Sequence, residues 1–261
     1  MINEVSASDD RQAGSEFSGN EFDELFPLGY EGHYWHRART AIVKSYVHAF
    51  CGVGDTLLEI GAARGHYVSV LRKAGFDAYG CDLGDPWLHE EARPFVFPKT
   101  DFAEIDKELR ERVTTVLLLD VLEHIEQPVT FLDRVVRAFP ALRLLIIALP
   151  ARQELWSNFD EHYRHFLRYD VTELRKLALR SRLSIKSYSY VFHGLYLPTL
   201  LLKKLGMKRG TAFRAPKAPR LHRLLGIVLR VESQFLPKNV YGTSLICACA
   251  KDPRSENARC N

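Results

Sequence analysis

The stretch LLEIGAARGHYVSVLRKAGFDAYGCD, Leu57 to Asp82, constrains the fold more than any other part of the chain. An apolar run ends in a glycine-bearing turn. A helical segment follows, with Val68, Leu71 and Ala74 on one side and Gly75 as its stop, and a second apolar run ends on an acid. The pattern reads as strand, tight turn, helix and strand. A parallel strand that ends this way leaves N–H groups of the next helix pointing into the crevice above the sheet.

The same alternation continues. TLLEIG, DAYGCDL, TTVLLLD and LRLLIIALP are nearly continuous Leu, Val and Ile runs, as expected of parallel strands buried on both faces, and PFVFPKTD reads as a shorter strand. QPVTFLDRVVRAF places Phe131, Leu132, Val135, Val136 and Phe139 on one helical face, with Pro128 near its start. Upstream, Trp35, Ala38, Ile42, Val43 and Val47 also fall at helical spacing. Strand and helix in alternation predict a doubly wound α/β sheet. After Pro150 the character changes. DVTELRKLALRSR is a helix capped by Asp170 or Thr172, and LSIKSYSYV and YGTSLICACAK are strands around an interval holding two basic, amphipathic segments. An interval so placed predicts a helical lid over 192–237, inserted before the last strand.

With 261 residues, 46% hydrophobic and 26% charged, the chain suits one soluble domain, expected over 26–252. Residues 1–25 are acidic and aperiodic and 253–261 short and polar, so both are expected to be disordered tails. A formal charge of +4 does not imply nucleic acid, and none is expected as a partner. Lys and Arg dominate 203–230, which suits an anionic acceptor, a peripheral membrane contact or a solvated face. Cys51, Cys81, Cys247, Cys249 and Cys260 show no metal-ligand spacing, and no signal-peptide pattern opens the chain. A reduced, cytoplasmic setting is the expectation. The oligomeric state is not legible.

A dinucleotide loop of the form G-x-G-x-x-G, laid on Gly61, wants glycines at 63 and 66 and meets Ala63 and His66. The chain offers instead Glu59-x-Gly61-x-Ala63-x-Gly65. Asp82 closes the second strand, where a carboxylate can accept from two ribose hydroxyls. A ligand with a ribose and no pyrophosphate suits this loop. LLEIGAARG, YGCDL and VLLLDVLEHIEQP together resemble successive motifs of the class I S-adenosylmethionine-dependent methyltransferases, in the group acting on small molecules. YWHRAR, DEHYRHFLRYDVTELRKLALRSRLSI and YGTSLICACAK extend the resemblance over about residues 30–251. It implies a Rossmann-like sheet of about seven strands with an antiparallel last strand.

The resemblance also implies roles. Gly61, Ala62 and Gly65 would form the loop beneath the cofactor, preceded by Glu59. Asp82 would hold the ribose hydroxyls with Leu83 against the adenine. Asp101 and Phe102 would meet the adenine edge, Leu119 and Asp120 would border the sulfonium, and Arg39 would bind the cofactor carboxylate. Ala63 stands where the family usually has glycine, and alanine is expected to avoid positive φ there. His124 and His165 are the candidate catalytic bases, with His162 and Arg168 nearby in the sequence. If a helix begins near Asp120, then Asp120, Glu123 and His124 share one face. Such a stretch binds metal in the ubiquinone-biosynthesis O-methyltransferases, so a divalent cation is the alternative to the expected metal-free site.

The expected activity is methyl transfer to a small-molecule or lipid-linked acceptor, at oxygen. No Asn-Pro-Pro-Tyr or Asp-Pro-Pro-Tyr follows the fourth strand, which would have pointed to amide or amino groups. The alternatives are an NAD(P)-dependent oxidoreductase, against which the glycine template argues, and a non-catalytic scaffold on the same fold.

Overall fold

The computed structural model describes Phe17 and residues 19–251. Both expected tails therefore fall largely outside the described residues, as does Cys260. In chain order the elements are α1 (Gly19–Leu25), α2 (Tyr34–Phe50), β1 (Thr56–Ile60), α3 (His66–Lys73), β2 (Asp77–Cys81), β3 (Val96–Phe97) and α4 (Lys107–Arg112). There follow β4 (Val113–Leu119), α5 (Pro128–Ala138), β5 (Leu144–Pro150), α6 (Asn158–His162), α7 (Val171–Arg180) and β6 (Leu183–Val191). The chain then forms α8 (Tyr196–Lys204), α9 (Pro219–Phe235) and β7 (Ser244–Lys251).

The strands form one sheet in the order β3-β2-β1-β4-β5-β7-β6. The first five are parallel, and β7 runs antiparallel to both its neighbours, with Ile147 opposite Cys247 and Tyr188 opposite the same cysteine. This is the Rossmann-like sheet with a reversed last strand that the motifs imply. The strand order reverses between β1 and β4, and in such sheets ligands lie in the crevice beyond the carboxyl ends of those strands.

Strand alternation assigns the two faces. Leu58, Ile60, Val116, Leu118, Leu145 and Ile147 pack with Phe131, Leu132 and Val135 of α5 and with α7. Leu57, Leu117, Leu119, Ile146 and Ala148 point the other way, onto Ala38, Ile42, Val43 and Val47 of α2 and Leu229 of α9. Asp170 is the cap of α7, accepting from the N–H groups of Thr172 (2.7 Å) and Glu173 (2.9 Å). Helices α8 and α9 lie between β6 and β7. Helix α9 sits close on α2: a Cβ on Gly226 would be 3.2 Å from the Tyr34 carbonyl.

Order begins earlier than the expected boundary at residue 26. Residues 19–25 form a helix whose Phe22 is buried, and whose acids each meet a basic side chain: Glu21 with Arg164 (2.7 Å), Asp23 with Arg64 (2.6 Å) and Glu24 with His162 (3.2 Å). An acidic stretch without periodicity reads as disorder, but these partners lie far along the chain. Arg64 is itself buried, 3.9 Å above the Trp87 ring. No described helix is long and apolar enough to cross a membrane.

Candidate active site

The turn after β1 is built from two left-handed glycines, Gly61 (φ 76°) and Gly65 (φ 75°). The N–H groups of Gly61 and Ala62 both donate to the Cys81 carbonyl, at 2.9 and 3.0 Å, which draws the loop against the end of β2. A side chain on Gly61 would press Val121 at 2.9 Å. Ala63 does not avoid positive φ; it stands at φ 44°. Its N–H donates to Asp82 Oδ2 at 2.8 Å, and that bond offsets the strain of a methyl in the left-handed region. Asp82 Oδ1 accepts from Gly84 N–H at 2.8 Å. The carboxylate is thereby fixed at the end of β2.

A cavity of about 1450 Å³ opens above the carboxyl ends of β1, β2 and β4. Single small ligands occupy roughly 300–1,000 Å³, so this space suits a cofactor together with an acceptor. Arg39, Glu59, Gly61, Ala62, Asp82, Leu83, Asp101, Phe102, Leu119, Asp120, Glu123, His124 and His165 all line it. Gly65 does not. It caps α3, and a Cβ there would meet Ala92 Cβ at 2.5 Å, so its role is close packing.

On the β1 side, Glu59 is buried and its Oε2 has no hydrogen-bond partner. Burial, and then the charge of Asp82, push its carboxyl well above the usual range. Arg39 is buried too. Its Nε donates to the Tyr67 hydroxyl at 3.0 Å, and its Nη2 lies 2.8 Å from Asp120 Oδ2 but off hydrogen-bond alignment, leaving that nitrogen unsatisfied. One buried wall thus holds an acid with one unbonded oxygen and a guanidinium with one nitrogen outside any aligned hydrogen bond, a set that fits an amino acid's ammonium and carboxylate. Asp101 accepts from Ala103 N–H (2.8 Å) and pairs with Arg134 (3.2 Å), whose guanidinium lies 5.0 Å over the Phe102 ring.

The other half is aromatic and imidazole-rich. His165 Nδ1 is 2.9 Å from Asp160 Oδ1, and Asp160 is fully buried. Burial works against the charge of Asp160, but the His165 bond and the Arg168 guanidinium, 2.7 Å away at Nε, outweigh it and hold the carboxyl well below its usual range. An ionised carboxylate only accepts, so Nδ1 carries the hydrogen, and in the neutral ring Nε2 is the atom that can accept. His124 packs edge-on to His165 at 4.7 Å between ring centroids, and burial, then His165, lower it to about 3. His162 instead reaches Glu24 and does not line the cavity.

The alternative cation set on Asp120, Glu123 and His124 does not assemble among the described residues. Residues 122–124 form a single 3-10 turn, and Asp120, at φ 58°, turns to Arg39. Without an α-helix the shared face is lost. Two other groupings among the described residues have ligand atoms within 4.8 Å: Glu123 with His124 and His165, and Glu31 with His66 and His89. In the first, burial and then Asp120 push Glu123 well up, and His165 is already committed to Asp160.

Sequence reasoning missed Asp160, Tyr67 and the aromatic wall made by Phe17, Phe22 and Phe26 from the N-terminal segment and Phe159 and Phe213 from farther on. Only Asp160 left a trace, as the last residue of Ser157-x-x-Asp160, which closes a capping box on α6.

The fold and the cofactor-sized crevice at the β1/β4 switch point define a nucleotide-type binding enzyme of the Rossmann-like class. A family model described as a methyltransferase domain matches residues 34–188, more than half of the chain. The chain belongs to this family and is a class I, S-adenosylmethionine-dependent methyltransferase. The comparison with curated proteins returns no match. Among solved structures, a chain of the complex between the Haloferax volcanii Trm112 methyltransferase activator and a putative methyltransferase is similar at 17% identity, with a TM-score of 0.51, over 90% of this chain and 97% of that one. Geranyl diphosphate C-methyltransferase from Streptomyces coelicolor A3(2) is similar at 14% identity, with a TM-score of 0.50, over 83% and 80%. Magnesium protoporphyrin IX methyltransferase from Synechocystis PCC 6803, with bound SAH, aligns at 16% identity and a TM-score of 0.47 over 83% of each chain. At such identities the likeness concerns the fold.

Proposed function

We propose that the protein methylates a hydroxyl oxygen of a small, apolar or lipid-like acceptor, with His165 as the base. The observation that carries this reading is the buried Asp160–His165 pair on the wall of a cavity large enough for two ligands. S-adenosylmethionine supplies an activated methyl group, so the chain's own task is positioning and proton removal.

Asp82 would bind the ribose hydroxyls, and Glu59 and Arg39 would take the ammonium and carboxylate of the methionine portion. Asp101 and Phe102 would meet the adenine edge, with Leu83 against its face. Leu119 and Asp120 would border the sulfonium. Asp160 fixes the tautomer of His165 and stabilises the imidazolium that forms when Nε2 takes the acceptor's proton. His124, held neutral, excludes water beside it. The residues after β6 would act as a lid: Pro198, Thr199, Leu202 and Met207 line the cavity together with Lys208 and Arg209. Arg209 is held by reciprocal bonds between its main chain and the Asn158 side chain (2.8 and 2.9 Å), and its guanidinium lies 4.5 Å over Phe159. That wall favours an acceptor with an apolar body and an anionic group.

The test is calorimetric titration with S-adenosylhomocysteine on the wild type and Asp82→Ala, followed by a turnover screen of hydroxylated amphiphiles. Binding that Asp82→Ala removes, and turnover that His165→Gln removes, support the proposal. Binding without turnover on any hydroxyl compound overturns the oxygen assignment and points to the scaffold alternative.

A further inference from the structure

The α8–α9 insertion carries a surface that neither the sheet nor the cavity uses. Helix α9 has two apolar sides. One, formed by Gly226 and Leu229 with His222, packs on α2, where His222 Nδ1 accepts from Tyr34 N–H at 3.2 Å. The other is made by Leu221, Leu224, Leu225, Val228, Val231 and Phe235. At 100° per residue these six fall in one stripe away from α2, and they are 39–82% exposed. Exposed leucines scattered singly are ordinary; a continuous stripe on a helix whose opposite side is already packed is not. Helix α8 repeats the feature with Leu197 and Leu201 and, at its C-cap, Leu205, 57–70% exposed.

Charge says what covers it. From 196 to 236 the chain has nine Lys and Arg and one acid, Glu232, which is engaged by Gly194 N–H at 2.9 Å. Arg220, Arg223 and Arg230 are exposed; Arg220 falls at the edge of the α9 stripe, and Arg223 and Arg230 lie farther round the helix, past the exposed Ile227. A second copy of this chain would set these cations against themselves across a twofold interface. A bilayer with anionic headgroups takes the leucines into its acyl boundary and the arginines at its surface. We propose that the exposed face of α9, with α8 beside it in sequence, docks on an anionic lipid surface. The docking does not depend on the methyltransferase chemistry, although Pro198 and Leu202 of the same insertion border the cavity.

The test is co-sedimentation of the full chain with vesicles of phosphatidylcholine alone or mixed with phosphatidylglycerol, at low and high salt. Leu224→Asp with Val228→Asp, and separately Arg220→Glu with Arg223→Glu, are compared with the wild type. Expected is binding to the mixed vesicles, weakened about tenfold or more by high salt and by either pair, with affinity for S-adenosylhomocysteine unchanged. Hydrogen exchange on the wild type needs no variant: vesicles should slow exchange within residues 219–235. The proposal is overturned if the mixed vesicles do not bind, if both pairs bind as the wild type does, or if light scattering shows a dimer that the aspartate pair dissolves. The last result assigns the face to a second copy.

Discussion

The main-chain N–H of Ala63 donates to Oδ2 of Asp82 at 2.8 Å, joining the turn after β1 to the acid at the end of β2. The bond orients Asp82, and it requires Ala63 to sit in the left-handed region at φ 44°. Glycine at 63 would relieve about 1–2 kcal/mol of left-handed strain and give back roughly 0.4–1 kcal/mol through the more mobile unfolded chain. Ala63→Gly should therefore raise the urea midpoint, by about 0.5–1 kcal/mol of stability. Gly65→Ala should lower it by about 1–3 kcal/mol, because its Cβ would overlap Ala92. Equal midpoints in the two variants would contradict this account of the turn.

Glu59 gives a proton-coupled binding prediction. Burial and Asp82 keep it protonated above the usual carboxylate range. An ammonium placed against it favours the ionised form, so S-adenosylhomocysteine should expel a proton and bind more tightly as pH rises. Titrations in phosphate and in Tris, which differ in ionisation enthalpy, should then give different apparent heats. Identical heats would show that Glu59 does not face the ammonium.

His165→Gln removes the proton acceptor and keeps a side chain that can reach Asp160. We expect kcat to fall about 10²–10⁴-fold with S-adenosylhomocysteine affinity unchanged. His124→Gln should cost far less, since His124 does not gain a proton near neutrality. Similar losses in both would move the base assignment away from His165.

Stability should fall on the acid side of neutrality. Burial lowers His33 and His66 to about 4 and His124 to about 3, and holds His36 well below its ordinary value. The unfolded chain takes up these protons near pH 6.5 while the native state stays neutral, so their contribution is lost as pH falls from there toward about 4. Glu59 and Glu123, both raised, act in the opposite sense, while the lowered carboxyls of Glu31, Asp55, Glu154 and Asp160 act with the imidazoles. Melting temperature followed from pH 7 down to about 4 should decline throughout; a flat profile would show that the imidazoles are solvated.

The sheet was legible because its signals are local. Short runs such as VLLLD and LLIIA, in alternation with helical patterns, read as strands buried on both sides, and Gly61 and Asp82 mark the ends of two strands. Glu59, Gly61, Ala62 and Asp82, which line the cavity, come from the same short stretch. What escaped depends on distant encounters. Nothing near Asp160 announces that His165 and Arg168 will converge on it, and nothing in GNEFDEL announces Arg64 and Arg164. Asp120 failed as a ligand for a similar reason: one residue in a left-handed conformation redirects its side chain, and no spacing rule contains that.

The placement of β7 between β5 and β6 has a consequence for how the chain is made. When β6 has been synthesised it has no neighbour, because its only partner comes after residues 192–243. For that interval the outer edge of β5, with Ile146 and Ile147, is open as well, and the basic, leucine-rich insertion is the newest part of the chain. Domains assemble as they emerge, and an open strand edge is where they pair wrongly. A chain cut short of Ser244 would keep five paired strands, with the outer edge of β5 open and β6 without its partner.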